Sequence, residues 1–254
     1  MPTLPDPRID RYDAIDALRG LAMVWMTVFH FCFDLSHFGW WHQDFYSNPV
    51  WTWQRTAIVS LFLFCAGLGQ AVAQSRSLGW ERFFRRWRQI AGCALLVSAG
   101  SWLMFPRSFI YFGVLHGMVV MLLIARLSMG WGRWLWPAGL LALLLPLVAH
   151  AMLTGPFAHL AGALDARSLN WLGLITRKPI TEDYVPLFPW LGVVWWGLAA
   201  GQWLLVHQRR WLVSPVPAVA SPLALLGRWS LSYYMVHQPV MIGVLLATGW
   251  LLGR

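Results

Sequence analysis

The chain contains little cysteine and little charge, and each shortage argues against a class of protein. Its 254 residues include three cysteines, Cys32, Cys65 and Cys93. All three lie in apolar runs without a Cys-x-x-Cys spacing, which argues against a disulfide scaffold or a cysteine-ligated metal and predicts small buried side chains. Charged residues make up 11% of the chain. An ordinary soluble domain has about 25%, so the composition argues against a cytosolic enzyme or a disordered tail.

Apolar residues take the place of the missing charge. They make up 58% of the chain, which has 19 tryptophans and a mean hydropathy of +0.55. A soluble core of this length cannot hide so much apolar surface. The sequence therefore predicts an all-α, polytopic membrane protein that forms one domain over residues 1–254, without internal repeats.

Seven apolar runs are close to the roughly 20 residues that cross a bilayer as a helix. They are 17–36, 53–73, 89–105, 109–126, 134–153, 185–206 and 229–250. The predicted number of spans is therefore about seven, within a range of six to eight. Residues 222–228 either extend the last span or form a short interfacial piece, and Pro239 is expected to kink that span.

The net charge of +9 could indicate a nucleic-acid partner, but its distribution fits membrane topology better. With the N-terminus in the cytoplasm, most arginines fall on the inner side, among them Arg8 and Arg11, whereas Arg254 falls outside. The largest contribution comes from the basic loop 76–88, which includes Arg85 and Arg86. This loop either anchors the topology against anionic lipid or binds an anionic ligand. We therefore expect a multi-pass protein of the plasma (inner) membrane, with the bilayer as a partner and no nucleic acid.

The first span carries the most informative polar residues. Asp16 and Arg19 lie at its start, and His30 and Asp34 lie deep within it, where polar residues are costly and indicate function. His30 and Asp34 are four residues apart and so share a helix face, where the carboxylate can orient the imidazole as a general base. The alternative is a polar pair that binds neighbouring helices. His30, Asp34 and His37 also form a face that could hold a metal, but no second cluster completes it, and no metal is predicted.

Three further residues are candidates for an additional site. His116 and His237 lie within predicted spans, where each either bonds another helix or contributes to the site. Asp183 lies in the outer loop 179–190, whose acids and aromatics suit a sugar or an amine. The alternative for that loop is a solvated loop end.

Motifs along nearly the whole chain resemble one family of membrane acyltransferases. The matching pieces are Arg11-x4-Asp16-Ala-Leu-Arg19-Gly20 with His30 and Asp34, Leu61–Gly67, Phe112–His116, Asp183–Gly192 and Leu226–Pro239. In this order they resemble the bacterial branch of the heparan-α-glucosaminide N-acetyltransferase family. The Arg19-x10-His30 spacing is also similar to the Arg-x10-His signature of the wider group of membrane O- and N-acyltransferases.

The resemblance implies transfer of an acyl group, usually acetyl, from cytoplasmic acyl-CoA to an amine or hydroxyl of a sugar-like acceptor on the outer side. His30 would take the catalytic role and Arg19 would bind the donor, acetyl-CoA or another acyl-CoA. In chemical terms Asp34 would orient His30, while Arg85 and Arg86 could contact the CoA phosphates. A homodimer is left open.

Two other readings remain. In a proton-coupled transporter or flippase, Arg19, His30 and Asp34 would form a proton relay. A non-catalytic membrane assembly protein would account for the apolar mass but not for the buried charges. Binding of acyl-CoA separates the first reading from the others.

Overall fold

The structure is a computed structural model that describes residues 12–253. Arg8, Arg11 and Arg254, which the predicted topology distributes between the two faces, lie outside the described residues. The predicted all-α fold is confirmed, since the described residues form helices joined by turns and one isolated β-bridge.

Ten α-helices follow one another along the described chain. They are α1 (Asp13–His37), α2 (Pro49–Ser75), α3 (Trp80–Met104), α4 (Val114–Leu127), α5 (Leu135–Leu153), α6 (Ala161–Asp165), α7 (Leu187–His207), α8 (Arg209–Val213), α9 (Ser221–Arg228) and α10 (Ser230–Leu251). Short 3₁₀ segments connect several of them, and one of these, Met129–Trp134, leads directly into α5.

By length and composition, four helical segments of the described chain can cross a membrane. They are Asp13–His37, Pro49–Ser75, Met129–Leu153 and Ser230–Leu251. They coincide with four of the seven predicted spans. The other three predicted spans coincide with α3, α4 and α7. The total of seven and the cytoplasmic N-terminus stay predictions.

Two helices begin later than the predicted spans because short extended segments precede them. The parallel bridge joins Phe112 to Tyr184. The Val185 amide donates to the Phe112 carbonyl at 3.2 Å, and further hydrogen bonds tie residues 108–109 to residues 181–182. These bonds use backbone groups that a helix would need. Consequently α4 begins at Val114 rather than at 109, and α7 begins at Leu187 rather than at 185.

The structure resolves the alternative at residues 222–228 in favour of a separate helix. The helix α9 ends at Arg228, and α10 begins at Ser230 after a single intervening residue. Pro239 lies inside α10, which continues through it as one element.

The chain divides into two compact units, each with its own core. One unit combines the chain up to Phe62 with the chain from Leu204 onward, and the other is Leu63–Trp203. The core of the first unit is Met23, Met26, Phe29, Phe45 and Ile58. In the second unit the side chains of Leu63, Cys65, Met121, Leu135 and Leu198 are completely buried. Burial of Cys65 matches the prediction, whereas Cys32 and Cys93 are only partly buried.

Within the first unit, α1 and α9 approach each other closely through two glycines. A Cβ atom at Gly20 would lie 1.9 Å from the Leu223 carbonyl oxygen, and one at Gly227 would lie 1.8 Å from the Asp16 carbonyl oxygen. Neither position can therefore hold a larger residue without separating the helices. Such backbone contact through small residues is typical of helix packing in membranes.

The outward surface of the helices is strongly apolar, as a lipid environment requires. On α5 the exposed side chains include Leu140, Leu141, Leu144, Leu147 and Val148. A soluble monomer rarely exposes a continuous apolar face that extends over several turns of a helix. This surface supports the prediction of a membrane protein.

Candidate active site

A pair of histidines inside the first unit forms the centre of the candidate site. His30 of α1 and His237 of α10 are joined by a hydrogen bond of 2.9 Å between His30 Nδ1 and His237 Nε2. Their rings are almost parallel, with centroids 5.2 Å apart. His237 is 7% exposed. The structure thus brings together two histidines that the sequence placed more than 200 positions apart.

His237 is also bonded to its own helix. Its Nδ1 donates to the Tyr234 carbonyl oxygen at 2.7 Å. Because proline has no N–H, Pro239 frees the carbonyl of Met235, four residues before it, and this carbonyl could accept a bond from the histidine. The observed acceptor is instead Tyr234, which lies three residues before the histidine.

Asp34 does not orient His30 in the way that their spacing suggested. Its two carboxylate oxygens accept hydrogen bonds from Gln238 Nε2 at 2.8 and 3.0 Å. Asp34 is 3% exposed, so a buried carboxylate is bonded to a neutral amide of α10. The i, i+4 spacing places both α1 residues on one face, but each finds its hydrogen-bond partner on α10.

Two residues that the sequence analysis did not assign complete the surroundings of the pair. The ring of Tyr233 stacks on His237, with centroids 5.8 Å apart. The Tyr233 hydroxyl lies 2.7 Å from Thr27 Oγ1, and Thr27 in turn donates to the Met23 carbonyl at 2.8 Å. The sequence feature that could have identified Thr27, Tyr233 and Gln238 is that each is a polar residue in an apolar span.

Asp16 and Arg19 form an ion pair at the start of α1. Arg19 Nη1 lies 2.9 Å from Asp16 Oδ1 and 3.5 Å from the Gly227 carbonyl oxygen. Arg228, at the end of α9, binds Asp13 at 2.7 Å and lies 3.9 Å from Asp16. Because a guanidinium has five N–H donors, Arg19 keeps donors beyond these contacts.

The distance along α1 separates this ion pair from the histidines. His30 follows Arg19 by eleven positions, which corresponds to about 16 Å of helix rise at 1.5 Å per residue. The cation is therefore at one end of the span and the imidazole lies deep within it, as the sequence predicted.

The second unit contains the other candidates, and His116 has a structural role there. Ser98 Oγ donates to the Ile110 carbonyl at 2.6 Å, so it accepts from His116 Nε2 at 3.0 Å. His116 Nδ1 accepts from the Gly113 amide at 3.3 Å. Both ring nitrogens are thus used within the fold, and His116 has no nitrogen left to act as a base.

Asp183 caps the N-terminus of α4. Its Oδ2 accepts from the Val114 amide at 2.8 Å, and Gly113 leaves the space in which the carboxylate lies. A negative charge at this end of a helix is favoured by the helix dipole. The neighbouring acid Glu182 binds Ser108 at 2.5 Å. Both acids of the loop 179–190 therefore contact the fold.

The loop 179–190 is also held by polar contacts around Asn170. Tyr184 donates to the Asn170 carbonyl at 2.6 Å, and Asn170 Nδ2 donates to the Tyr111 hydroxyl at 2.9 Å. Burial, and then the neighbouring Tyr111 and Asp165, raise the pKa of Tyr184 above its usual value, so the phenol stays a donor.

Arg85 and Arg86 lie in the first turns of α3. Arg85 contacts Glu81 at 3.3 Å, with both side chains largely exposed, and Arg86 contacts Gln89 at 3.1 Å. An exposed ion pair such as Arg85–Glu81 is weak and leaves the Arg85 guanidinium accessible to an anion.

The described side chains were also compared with the arrangement that a bound metal ion needs. No group of three or more histidine, cysteine, aspartate or glutamate side chains within residues 12–253 is arranged to hold a metal ion. His30, Asp34 and His37 are accordingly not arranged as such a group within residues 12–253.

Comparison with protein families gives one result. The family model described as heparan-α-glucosaminide N-acetyltransferase, catalytic, matches residues 11–239. The match covers every candidate residue discussed above and confirms the resemblance to this family. Neither the comparison with curated proteins nor the comparison with solved structures gives a match.

Proposed function

Because the chain belongs to the heparan-α-glucosaminide N-acetyltransferase catalytic family, we propose that it transfers an acyl group across the membrane. The donor is cytoplasmic acyl-CoA, in the first place acetyl-CoA, and the acceptor is an amine or hydroxyl of a sugar-like molecule on the outer side. The protein acts in the inner membrane of a bacterium.

One observation supports the chemistry above all others, namely the bonded pair of His30 and His237 inside apolar helices. In the proposed reaction His30 removes the proton from the acceptor amine or hydroxyl. The nucleophile attacks the thioester carbonyl, the C–S bond breaks, and the proton passes from His30 to the departing CoA thiolate. The products are the acylated acceptor and free CoA, so protons and charges balance.

Arg19 is proposed to bind the donor from its position at the start of α1. Asp16 and the Gly227 carbonyl hold its guanidinium in place, and the remaining N–H groups suit the CoA phosphates. Arg85 and Arg86 are proposed as a separate contribution to phosphate binding, supported by their exposure. Asp34 is proposed as a positioning residue, because its carboxylate binds the side chain of Gln238, which follows His237 in α10.

The function is tested by acetyl transfer from radiolabelled acetyl-CoA to methyl β-D-glucosaminide, with methyl β-D-glucoside as the hydroxyl counterpart. We expect His30→Ala to lower the rate by about 10²–10⁴ or more, as for loss of a general base. The variant should still insert into the membrane and remain folded, which a cooperative thermal transition in detergent verifies. His150→Ala, at an exposed position of α5, is the matched control. Transfer at the wild-type rate by His30→Ala would refute the assignment.

Donor binding is tested separately with acetyl-CoA and purified protein in detergent. Arg19→Lys, which keeps the charge but loses the planar guanidinium, and the double variant Arg85→Ala/Arg86→Ala should each weaken saturable binding. Folded wild-type protein that binds no acetyl-CoA would contradict the acyltransferase. That result would favour the transporter in which Arg19, His30 and Asp34 relay protons.

A further inference from the structure

The hydrogen bonds around His237 fix where the protons of both imidazoles lie. A carbonyl oxygen only accepts, so His237 Nδ1, 2.7 Å from the Tyr234 carbonyl, must carry a proton. In a neutral ring the other nitrogen, Nε2, then has a lone pair. Since this nitrogen faces His30 Nδ1 at 2.9 Å, His30 Nδ1 must be the donor.

We propose that His237 is a positioning residue that holds His30 as the Nδ1–H tautomer, so that His30 Nε2 is the nitrogen that takes the acceptor's proton. This inference rests on the proposed function for the role of His30. The tautomer itself follows from the geometry of residues 234, 237 and 30, and it can be tested without any activity.

The opposite tautomer of His30 is disfavoured by the same contact. With its proton on Nε2, His30 would direct the lone pair of Nδ1 toward the lone pair of His237 Nε2 at 2.9 Å. Two acceptors would then face each other in an apolar environment, and each would lose its hydrogen bond. The second nitrogen of a histidine commonly decides in this way which tautomer is present.

Neighbouring residues keep the His237 ring in the required orientation. Thr27 donates its hydroxyl hydrogen to the Met23 carbonyl, so the Tyr233 hydroxyl donates to Thr27 Oγ1 at 2.7 Å. This bond ties Tyr233 to α1, and the Tyr233 ring stacks on His237 with an angle of 11° between the planes. The histidine is thus held by a carbonyl at one edge and by a ring against one face.

The arrangement also suits the charged state that forms during the reaction. When His30 Nε2 takes a proton, Nδ1–H remains bonded to the neutral His237, and this hydrogen bond becomes charge-assisted. A neutral partner stabilises the imidazolium less than a carboxylate would. The proton is therefore returned more readily to the leaving thiolate.

The test is ¹⁵N NMR of protein labelled at the histidine rings, in detergent and above the pH range in which a free histidine titrates. The His30 signals are assigned by their loss in His30→Asn. His116 is the internal reference, because its contacts require the opposite tautomer, with the proton on Nε2. We expect wild-type His30 to show a protonated Nδ1 and an unprotonated Nε2.

Two variants at residue 237 separate the hydrogen bond from the packing. His237→Gln keeps an acceptor at the reach of Nε2 and should preserve the His30 tautomer. His237→Met keeps a similar volume but replaces the imidazole nitrogen by a thioether sulfur, which is only a weak acceptor, and His30 should then shift toward the Nε2–H form. The His116 signals should be unchanged in both variants, which shows that the protein is folded.

Two outcomes overturn the inference: a protonated His30 Nε2 in the wild type, or a His30 tautomer that is the same in His237→Met. Kinetics add an independent readout, since we expect kcat to fall on the order of 10-fold or more in His237→Met and to recover substantially in His237→Gln. The expected tautomer together with an absence of acetyl transfer would leave the tautomer assignment standing, but it would refute the proposed function and with it the role of His30 Nε2 as the base.

Discussion

At the scale of single residues, the burial of Asp34 leads to a prediction about stability. Gln238 Nε2 donates to both carboxylate oxygens, and Asp34 is 3% exposed. Gln238→Leu removes these donors and leaves a buried carboxylate without them. We expect a loss of about 1–3 kcal/mol in the free energy of unfolding. The measurement is thermal unfolding of purified protein in detergent.

A second variant separates the loss of the bond from the loss of the side chain. In the double variant Asp34→Leu/Gln238→Leu both partners become apolar, so most of the lost stability should return. Gln208→Leu, at an exposed position after α7, is the control and should change little. If the double variant were less stable than Gln238→Leu, the hydrogen bonds would not be the source of the effect.

The residues of the candidate site were only partly predictable from sequence. The position of His30, Asp34 and His237 deep in apolar spans identified them as candidates, because burying a polar side chain there costs free energy and so indicates function. The pairing was not predictable. The i, i+4 spacing along α1 predicted that His30 and Asp34 would bind each other. In the structure His30 bonds to His237 and Asp34 bonds to Gln238, which are adjacent residues of α10. Contacts between distant segments depend on helix register, which periodicity within one helix does not contain.

At the scale of helices, the contact between α1 and α9 depends on two glycines. A Cβ atom at Gly20 or Gly227 would lie within 2 Å of a carbonyl oxygen of the facing helix. Because backbone atoms cannot move aside as a flexible side chain can, Gly20→Ala and Gly227→Ala should each separate the helices. We expect a loss of about 1–3 kcal/mol or more, measured by thermal unfolding.

The matched control for these variants lies in α10. Gly243 has nothing within 4 Å of its Cβ position, so Gly243→Ala adds a methyl group to an open surface and removes the helix penalty of glycine. This variant should be as stable as the wild type or slightly more stable. Equal destabilisation at all three positions would contradict the close contact.

The loop after α6 gives a prediction about pH. Burial alone would raise the pKa of Asp165, but hydrogen bonds from Thr176 and Arg177, with the charge of Arg177, outweigh it and hold the pKa below its usual value. The bonds at Thr176 measure 2.7 Å from the amide and 2.6 Å from the hydroxyl. A lowered folded-state pKa stabilises the loop above the usual carboxyl pKa of about 3.9, and this contribution is lost as the pH falls through the folded-state value.

Hydrogen exchange at the amides of Thr176 and Arg177 measures this contribution. After correction for the intrinsic exchange rate, protection should be constant from neutral pH down to the usual carboxyl range and should decrease below it. Asp165→Asn should reduce protection already at neutral pH and remove the acid dependence. An acid dependence that persists in Asp165→Asn would assign the effect to another group.

Helices were more predictable than the segments that precede them. Apolar runs located all the long helices, since a continuous run of about 20 apolar residues has few alternatives. They did not reveal that residues 108–112 pair with residues 181–185, which shifts the starts of α4 and α7. Such pairing joins segments about 70 positions apart and leaves no periodic signal in either of them.

At the scale of the whole molecule, the orientation in the membrane determines whether the proposed reaction is feasible. The proposed donor is cytoplasmic and Arg19 is the proposed donor-binding residue, so the proposal requires the start of α1 to face the cytoplasm. The loop between α2 and α3 is then cytoplasmic and the loop after α6 is external. These two loops carry exposed serines, Ser77 and Ser168, at which a single cysteine can report the side.

The reporter variants are Ser77→Cys and Ser168→Cys, each in a background in which Cys32, Cys65 and Cys93 are replaced by alanine. A membrane-impermeant maleimide applied to intact cells should label Ser168→Cys and should label Ser77→Cys only after the membrane is permeabilised. Both variants need to retain acetyl-CoA binding, so that the label reports the folded protein. The reverse pattern would place Arg19 on the outer side, where cytoplasmic acyl-CoA cannot reach it. It would thereby refute the proposed donor site while leaving the His30 tautomer intact, because that depends on contacts between α1 and α10 alone.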